Sequence, residues 1–347
     1  MISLTASTPA ARDNIHCAVK EGDKVDTARV SMIILVYQKL DNLHAAVDSV
    51  LGQDYLDVEL IISDDCSPHF PLEELRQYIE ENKRENVKRV VMQTMPENLG
   101  TVRHANAAAA QATGQYVRFL GGDDELHDCR VITDTVAFMQ QTGALVSTSL
   151  TAAYDEQLNR LLYTFPSEHE ARQMNSLAPE KLFGELAVSG NIVGAPGVTF
   201  RREFFEQGGF DCTYRLTEDF PTWLRLFREK TSIPCMQRVT VKYRTNGISS
   251  HLNKNLPVGR LLFSELGKVY EKEILAYSSL LTPFQRRYSE FVYYRIRHFD
   301  GFSLHKKLIF FLQYTDIILW RKYSTFMTNT KRIFNGTATG FRNRTLL

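Results

Sequence analysis

Three acidic pairs stand out: Asp64-Asp65 in ISDDCSPHF, Asp123-Asp124 in RFLGGDDELHD and Glu218-Asp219 in TEDFPTWLRL. Adjacent carboxylates repel unless a positive charge or water lies between them. Asp123 and Asp124 follow Gly121 and Gly122, which let the backbone approach a ligand closely. With no His or Cys cluster nearby, this oxygen-only pair suits a hard divalent ion, Mg²⁺ or Mn²⁺, that keeps positions open for substrate phosphates. Asp64 and Asp65 close an apolar run, where a carboxylate can accept hydrogen bonds from ribose hydroxyls or a base N–H. Tyr37, after the first apolar run, either packs or stacks on a base. Glu218 and Asp219 could take the proton of an incoming hydroxyl while the metal stabilises a departing diphosphate. Together these groups describe a single-displacement transfer from a nucleotide diphosphate, with inversion at the transferred carbon.

Such residues need a scaffold. Apolar runs at 30–36, 58–63, 87–93 and 115–120 read as strands, and NLHAAVDSVLGQ, PLEELRQYIEENKRE and GTVRHANAAAAQAT between them carry helical spacing. This βαβαβαβ order predicts an α/β fold, a mostly parallel sheet with helices on both faces. In such sheets ligands bind beyond the carboxyl ends of the strands. Tyr37 and Gln38, Asp64 and Asp65, and the Gly121–Asp124 turn all fall on that rim. After a less regular stretch from 145 to 185, NIVGAPGVTFRREFFEQGGFD supplies turns, TEDFPTWLRLFREK reads as a helix, and VTVKYRTNGISSH as a last strand and loop.

Each pair also has an ordinary reading. Asp64 and Asp65 can simply turn the chain, Asp123-Asp124 can be a turn and a cap, and Asp219 before Phe220-Pro221 is a good helix cap. Arg103 and His104 are expected on a solvated helix face, and Trp223 and Leu224 in the core.

The 44% hydrophobic and 23% charged fractions are those of an ordinary globular protein. No run approaches the roughly 20 apolar residues that span a bilayer, and the first 28 residues lack the apolar core of a signal peptide, so a cytoplasmic chain is expected. Five cysteines with no CxxC pair suggest reduced thiols and no zinc site. From Arg286 to the end there are 12 Lys/Arg against Glu290, Asp300 and Asp316, whereas the preceding chain is net acidic. Within this tail, KKLIFFLQYTDIILWRKY places a short apolar stretch between basic flanks. It suits either a helix lying in a membrane interface, on the inner face of the plasma membrane, or a helix packed on the rest of the chain with a solvated basic face. No nucleic-acid recognition motif is present.

The chain resembles the glycosyltransferase family 2 enzymes, which have the GT-A fold. VSMIILVYQKLDNLHAAVDSVLGQDYLDVELIISDDCS looks like the family's nucleotide-pocket opening, and ENLGTVRHANAAAAQATGQYVRFLGGDD like its N-x-G helix, A-x-G-x-Y strand and D-x-D-type motif. TEDFPTWLRL resembles its Glu-Asp motif. The resemblance implies nucleotide binding at Asp64 and Asp65, a metal and diphosphate position at Asp123 and Asp124, and a catalytic base at Asp219 beside Glu218. Gly121 stands where the common metal motif begins with Asp, Leu35 and Gln38 replace the usual Pro and Asn around Tyr37, and Asn246 replaces a His for which His251 is a substitute. The processive Q-x-x-R-W signature is absent, which implies one sugar per cycle.

These readings give an N-terminal extension (1–28), a GT-A domain (29–255) and a helical basic-aromatic C-terminal region (256–347). The expected partners are a nucleotide-sugar donor, with UDP as nucleotide, a glycan or polyprenyl-linked acceptor of a cell-surface polysaccharide pathway, and no nucleic acid. A sugar nucleotidyltransferase would need a Gly-rich basic loop after its first strand, and VYQKLDN has none. The alternative is an inactive GT-A-like scaffold, for which Gly121 is the best argument.

Overall fold

A computed structural model describes residues 28–245 and 256–324. Most of the N-terminal extension, Asn246, His251 and the tail after residue 324 lie outside them.

Four strands, β1 (Val30–Val36), β2 (Val58–Asp64), β3 (Val87–Thr94) and β4 (Tyr116–Gly121), form the parallel half of the sheet in the order β3-β2-β1-β4. They begin and end within one residue of the runs read from the sequence. β1 and β2 are buried almost throughout because helices cover both faces, as in parallel strands generally. Alternation then sorts their side chains. Met32, Ile34 and Leu60 pack with α1 (Leu43–Leu51) and α2 (Leu72–Asn82), while Ile33 and Ile61 meet α3 (Thr101–Ala109).

The remaining half is mixed. β5 (Glu125–Leu126) leaves the β4 turn, and α4 (Val131–Thr142) leads to β6 (Val146–Tyr154) and β7 (Leu161–Phe165). Helices α5 (Glu168–Ser176) and α6 (Pro179–Ser189) precede β8 (Thr199–Arg201), α7 (Glu203–Glu206), α8 (Asp219–Arg228) and β9 (Cys235–Arg244). Here β8 joins β4 antiparallel, and the sheet continues β8-β6-β9-β5 with β7 on β6. The stretch read as irregular from 145 to 185 is therefore two strands and two helices. Its β6 strand is buried although rich in Ser and Thr: Ser149 Oγ donates to Gly197 O at 2.9 Å and lies 2.6 Å from Thr240 Oγ1, whereas the Thr148 and Thr151 hydroxyls are buried without a hydrogen-bond partner. Cys66, Cys212 and Cys235 are free thiols, whereas Cys129 is disulfide-bonded, against the expectation of reduced cysteines.

The C-terminal region is helical: α9 (Pro257–Val269), a wider π-helical turn (Tyr270–Ile274) and a tighter 3₁₀ turn (Leu275–Leu280), α10 (Pro283–Arg297), α11 (Leu304–Gln313) and a further helical segment over 315–324. It shares one apolar core with the mixed half, in which Tyr270, Phe291, Phe310 and Ile317 join Phe183, Phe200 and Trp223. Trp223 and Leu224 are core residues, as expected.

Candidate active site

The ends of β2 and β4 are stitched to either side of β1. Asp65 N–H donates to Val36 O and Gly122 N–H to Leu35 O, each at 2.9 Å. Because the chain crosses from β3 to the far side of β1 before entering β4, the rim at β1 is where the strand order reverses, the usual crevice for a ligand in an α/β sheet. Tyr37 stands there, 40% exposed, its hydroxyl accepting from Gln38 Nε2 at 2.9 Å.

Asp64 and Asp65 are both buried. Asp64 accepts the Ser67 N–H at 3.0 and 3.2 Å, which closes the turn after β2. Asp65 accepts from Leu99 N–H at 2.8 Å, Gly100 N–H at 3.0 Å and Asn98 Nδ2 at 2.8 Å, so it fixes the loop entering α3. Arg103 is exposed, but His104 is not on a solvated face. Its ring is buried 2.8 Å from Ser63 Oγ, and burial holds its pKa below the usual value against the pull of the Asp65 and Asp64 charges.

The question of how two like charges coexist after β4 has a local answer. Asp123 faces the Lys39 ammonium at 3.3 Å, and Asp124 is buried, accepting the Arg244 N–H at 2.9 Å. Burial and the adjacent Asp123 raise the Asp124 pKa well above the usual carboxylate range, offset in part by Arg244 and Lys39. The Arg244 guanidinium donates to the Asp123 carbonyl, to Glu156 O at 3.0 Å and to Glu125 Oε1 at 2.9 Å, tying the end of β9 to the acidic turn.

Among the described residues no three His, Cys, Asp or Glu side chains gather as a metal cluster. A two-carboxylate site is nevertheless within Mg²⁺ habits, since that ion commonly uses one or two carboxylates plus substrate phosphates. Gly121 leaves room for it: a Cβ there would lie 3.0 Å from Asp124 Oδ2 and 3.1 Å from Asp123 Oδ1, so both oxygens converge on the space a side chain would fill. The donor set and the cradle fit a divalent cation.

Glu218 and Asp219 open α8, whose residues from Phe220 to Leu224 are buried. Glu218, and not Asp219, stands at the N-cap of α8, and its side chain makes no cap bond. Asp219 Oδ1 accepts the Phe220 N–H at 2.6 Å and Asp219 Oδ2 accepts from Asn191 Nδ2 at 2.5 Å. Burial, then Asp219 and Glu265, push the Glu218 carboxyl up to about 8. The pair is joined to the rim at the end of β2 through Arg215, whose guanidinium donates to Asn98 O at 3.0 Å and Asn98 Oδ1 at 2.6 Å, while Asn98 in turn bonds Asp65. Lys39, Asn191, Arg244 and Glu265 are contributors that the sequence does not single out. Only two carry a signal: Lys39 sits two residues after Tyr37 on the rim, and Arg244 lies in VTVKYRTNGISSH, the last strand and loop read from the sequence.

A model described as Glycosyl transferase family 2 matches residues 31–209, which takes in the first two acidic pairs and stops short of Glu218-Asp219. TuaG of Bacillus subtilis (strain 168), a glycosyltransferase whose name assigns it to teichuronic acid biosynthesis, is 28% identical over 246 residues, 70% of this chain and 89% of its own. The GalNAc(5)-diNAcBac-PP-undecaprenol beta-1,3-glucosyltransferase of Campylobacter jejuni is 23% identical over 71% of this chain and 75% of its own. The crystal structure of S. aureus TarS 1-349 superposes with a TM-score of 0.53 at 15% identity, covering 83% of this chain and 78% of that one. The shared architecture is the GT-A-like α/β fold with a helical C-terminal region.

Proposed function

Because the chain belongs to glycosyl transferase family 2, we propose that it transfers one sugar per cycle from a nucleotide-sugar, a UDP-sugar, to a hydroxyl of a glycan or polyprenyl-linked acceptor, with inversion. The pathway is bacterial cell-surface polysaccharide synthesis, such as capsule, exopolysaccharide or O-antigen. Two relatives support that assignment by name, one for teichuronic acid and one for an undecaprenol-linked glycan.

The observation that carries the reading is the bonded path from Asp65 through Asn98 to Arg215, which ties the nucleotide end of β2 to the segment bearing Glu218 and Asp219. In the proposed mechanism Tyr37, Asp64 and Asp65 hold the nucleotide. Asp219, oriented by Asn191, takes the acceptor hydroxyl's proton as the new C–O bond forms opposite the leaving group. The electron pair of the broken bond leaves with the diphosphate. Asp123 and Asp124 would hold Mg²⁺ or Mn²⁺, which supplies positive charge for that diphosphate when bound.

The C-terminal region gives the acceptor its place. No helix among the described residues is long and apolar enough to cross a membrane. Yet α11 does not present a merely basic face. Phe310 is buried in the core, while Leu304, Leu308, Ile309, Phe311 and Leu312 are exposed beside Lys306. Asp316, the charge that interrupts the apolar stretch, is paired with Arg287 at 2.9 Å. An apolar face with basic flanks suits peripheral binding to an anionic membrane, where a polyprenyl-linked acceptor resides.

The test is donor hydrolysis and nucleotide release across a panel of nucleotide-sugars with Mn²⁺, Mg²⁺ or EDTA. One donor should be turned over in a metal-dependent way, and Asp219→Asn should lower turnover about 10²- to 10⁴-fold with the fold intact. Asp123→Asn should abolish the metal dependence. Absence of donor binding and turnover under every condition would favour the inactive scaffold.

A further inference from the structure

We propose that Glu265, on α9 of the C-terminal region, is a positioning residue for the catalytic Glu218-Asp219 segment. The inference rests on the transferase reading for its kinetic consequence and on geometry for its existence.

Glu265 is a carboxylate at 1% exposure, a position that such a group occupies only when its acceptor sites are filled. Among the described residues no Lys or Arg side chain forms an ion pair with it. Instead it takes three donors from one short stretch of chain: the Arg215 N–H at 2.5 Å on Oε1, and the Leu216 N–H at 3.0 Å with the Thr217 hydroxyl at 2.9 Å on Oε2. Those residues are otherwise a loop, with no helix or strand ladder to hold their amides. Glu218 and Asp219 follow immediately, and Glu265 is itself one of the charges acting on Glu218.

The clamp reaches further than the base. Arg215 is its first ligand, and the same residue contacts the nucleotide end of the sheet through Asn98, while its carbonyl accepts the Val102 N–H of α3 at 3.1 Å. Gly100 completes the fit: at φ 77 it packs where an added Cβ would stand 2.6 Å from Arg215 Cγ. One buried carboxylate from the last third of the chain therefore sets the backbone from which both the base and the loop clamp of Asp65 take their positions. Charge-assisted bonds to backbone N–H groups are about twice as strong as neutral ones, which suits a part that must not drift. Misplacing a catalytic group by about 1 Å can cost on the order of 10²-fold in rate.

The experiment compares full-length wild type with Glu265→Gln. The amide keeps the shape but presents an N–H₂ to a donor. Two readouts are taken: hydrogen exchange at the Arg215 and Leu216 amides, which needs no substrate, and kcat and KM for donor hydrolysis. The expected result is faster exchange at these amides, a kcat about 10- to 100-fold lower, and a donor KM changed much less. Glu265→Asp, which retains the charge, should restore part of the kcat. Unchanged exchange in Glu265→Gln overturns the clamp. Faster exchange with kcat unchanged, or with only a lower Tm, overturns the positioning role and leaves a structural bond. If the wild type turns over no donor while exchange in Glu265→Gln still rises, it is the transferase reading that fails, and the clamp stands.

Discussion

Glu218 and Asp219 are neighbours in sequence but not in environment. Asp219 accepts N–H bonds from Asn191 and Phe220, donors that suit a carboxylate, whereas burial, Asp219 and Glu265 push Glu218 up to about 8. The unfolded chain ionises Glu218 near the ordinary value of 4.5, so between about 4.5 and 8 the folded state binds the extra proton and stability falls as pH rises. Glu218→Gln removes this dependence. Relative to wild type, the variant should gain stability between pH 5 and pH 8, by on the order of a few kcal/mol, in denaturant titrations at the two values. A difference that stays constant with pH would mean that Glu218 is ionised in the fold. The acidic pairs themselves were legible because each is a local signal at a strand or helix end. Their supports were not, because each acts across a long separation: Asn191 lies 28 residues from Asp219, and Glu265 50 from Arg215. His104 misled for a related reason. Its helix has a small-residue face of alanines, and nothing local says that the Ser63 hydroxyl waits beneath that face.

At the scale of elements, the sequence foretells what repeats locally and misses what pairs at a distance. The parallel half follows from apolar runs and helical spacing, so its strands are found where the pattern places them. The antiparallel joint of β8 to β4 and the burial of β6 depend on partners far along the chain, and the Ser/Thr content of β6 hides it from any hydropathy pattern. The entry to α3 shows the cost of a local rule. Gly100 caps that helix at φ 77, ψ 164, a region nearly closed to other residues, where a non-glycine costs about 1–3 kcal/mol. Gly100→Ala should lower stability by at least that amount because its Cβ also meets Arg215, and it should weaken UDP binding through Asp65. Calorimetric titration with UDP beside a denaturant curve measures both. Wild-type stability in the variant would show that the loop re-forms freely and that the clamp on Asp65 is loose.

Over the whole molecule the C-terminal region does two things at once, packing Phe310, Tyr314 and Ile317 into the shared core and turning Leu304, Leu308 and Leu312 outward. The outward face is the membrane prediction. Wild type should co-sediment with vesicles containing anionic lipid, less so as salt rises. A Leu308→Ser, Leu312→Ser double variant should bind at least about tenfold more weakly with an unchanged Tm, since removing two large apolar side chains from an interface gives up a few kcal/mol. Equal sedimentation of the variant, or none by the wild type, would assign the face to another partner. The shared core and the Glu265 clamp also bear on how such enzymes diversify. The tail cannot be exchanged like a cassette: a recombination joint near residue 255 would bring in a foreign helix where α9 lay, and the loop before α8 would arrive without the carboxylate that shapes it. On the proposed reading, a new acceptor has to be met by substitutions within this tail that keep the Glu265 clamp.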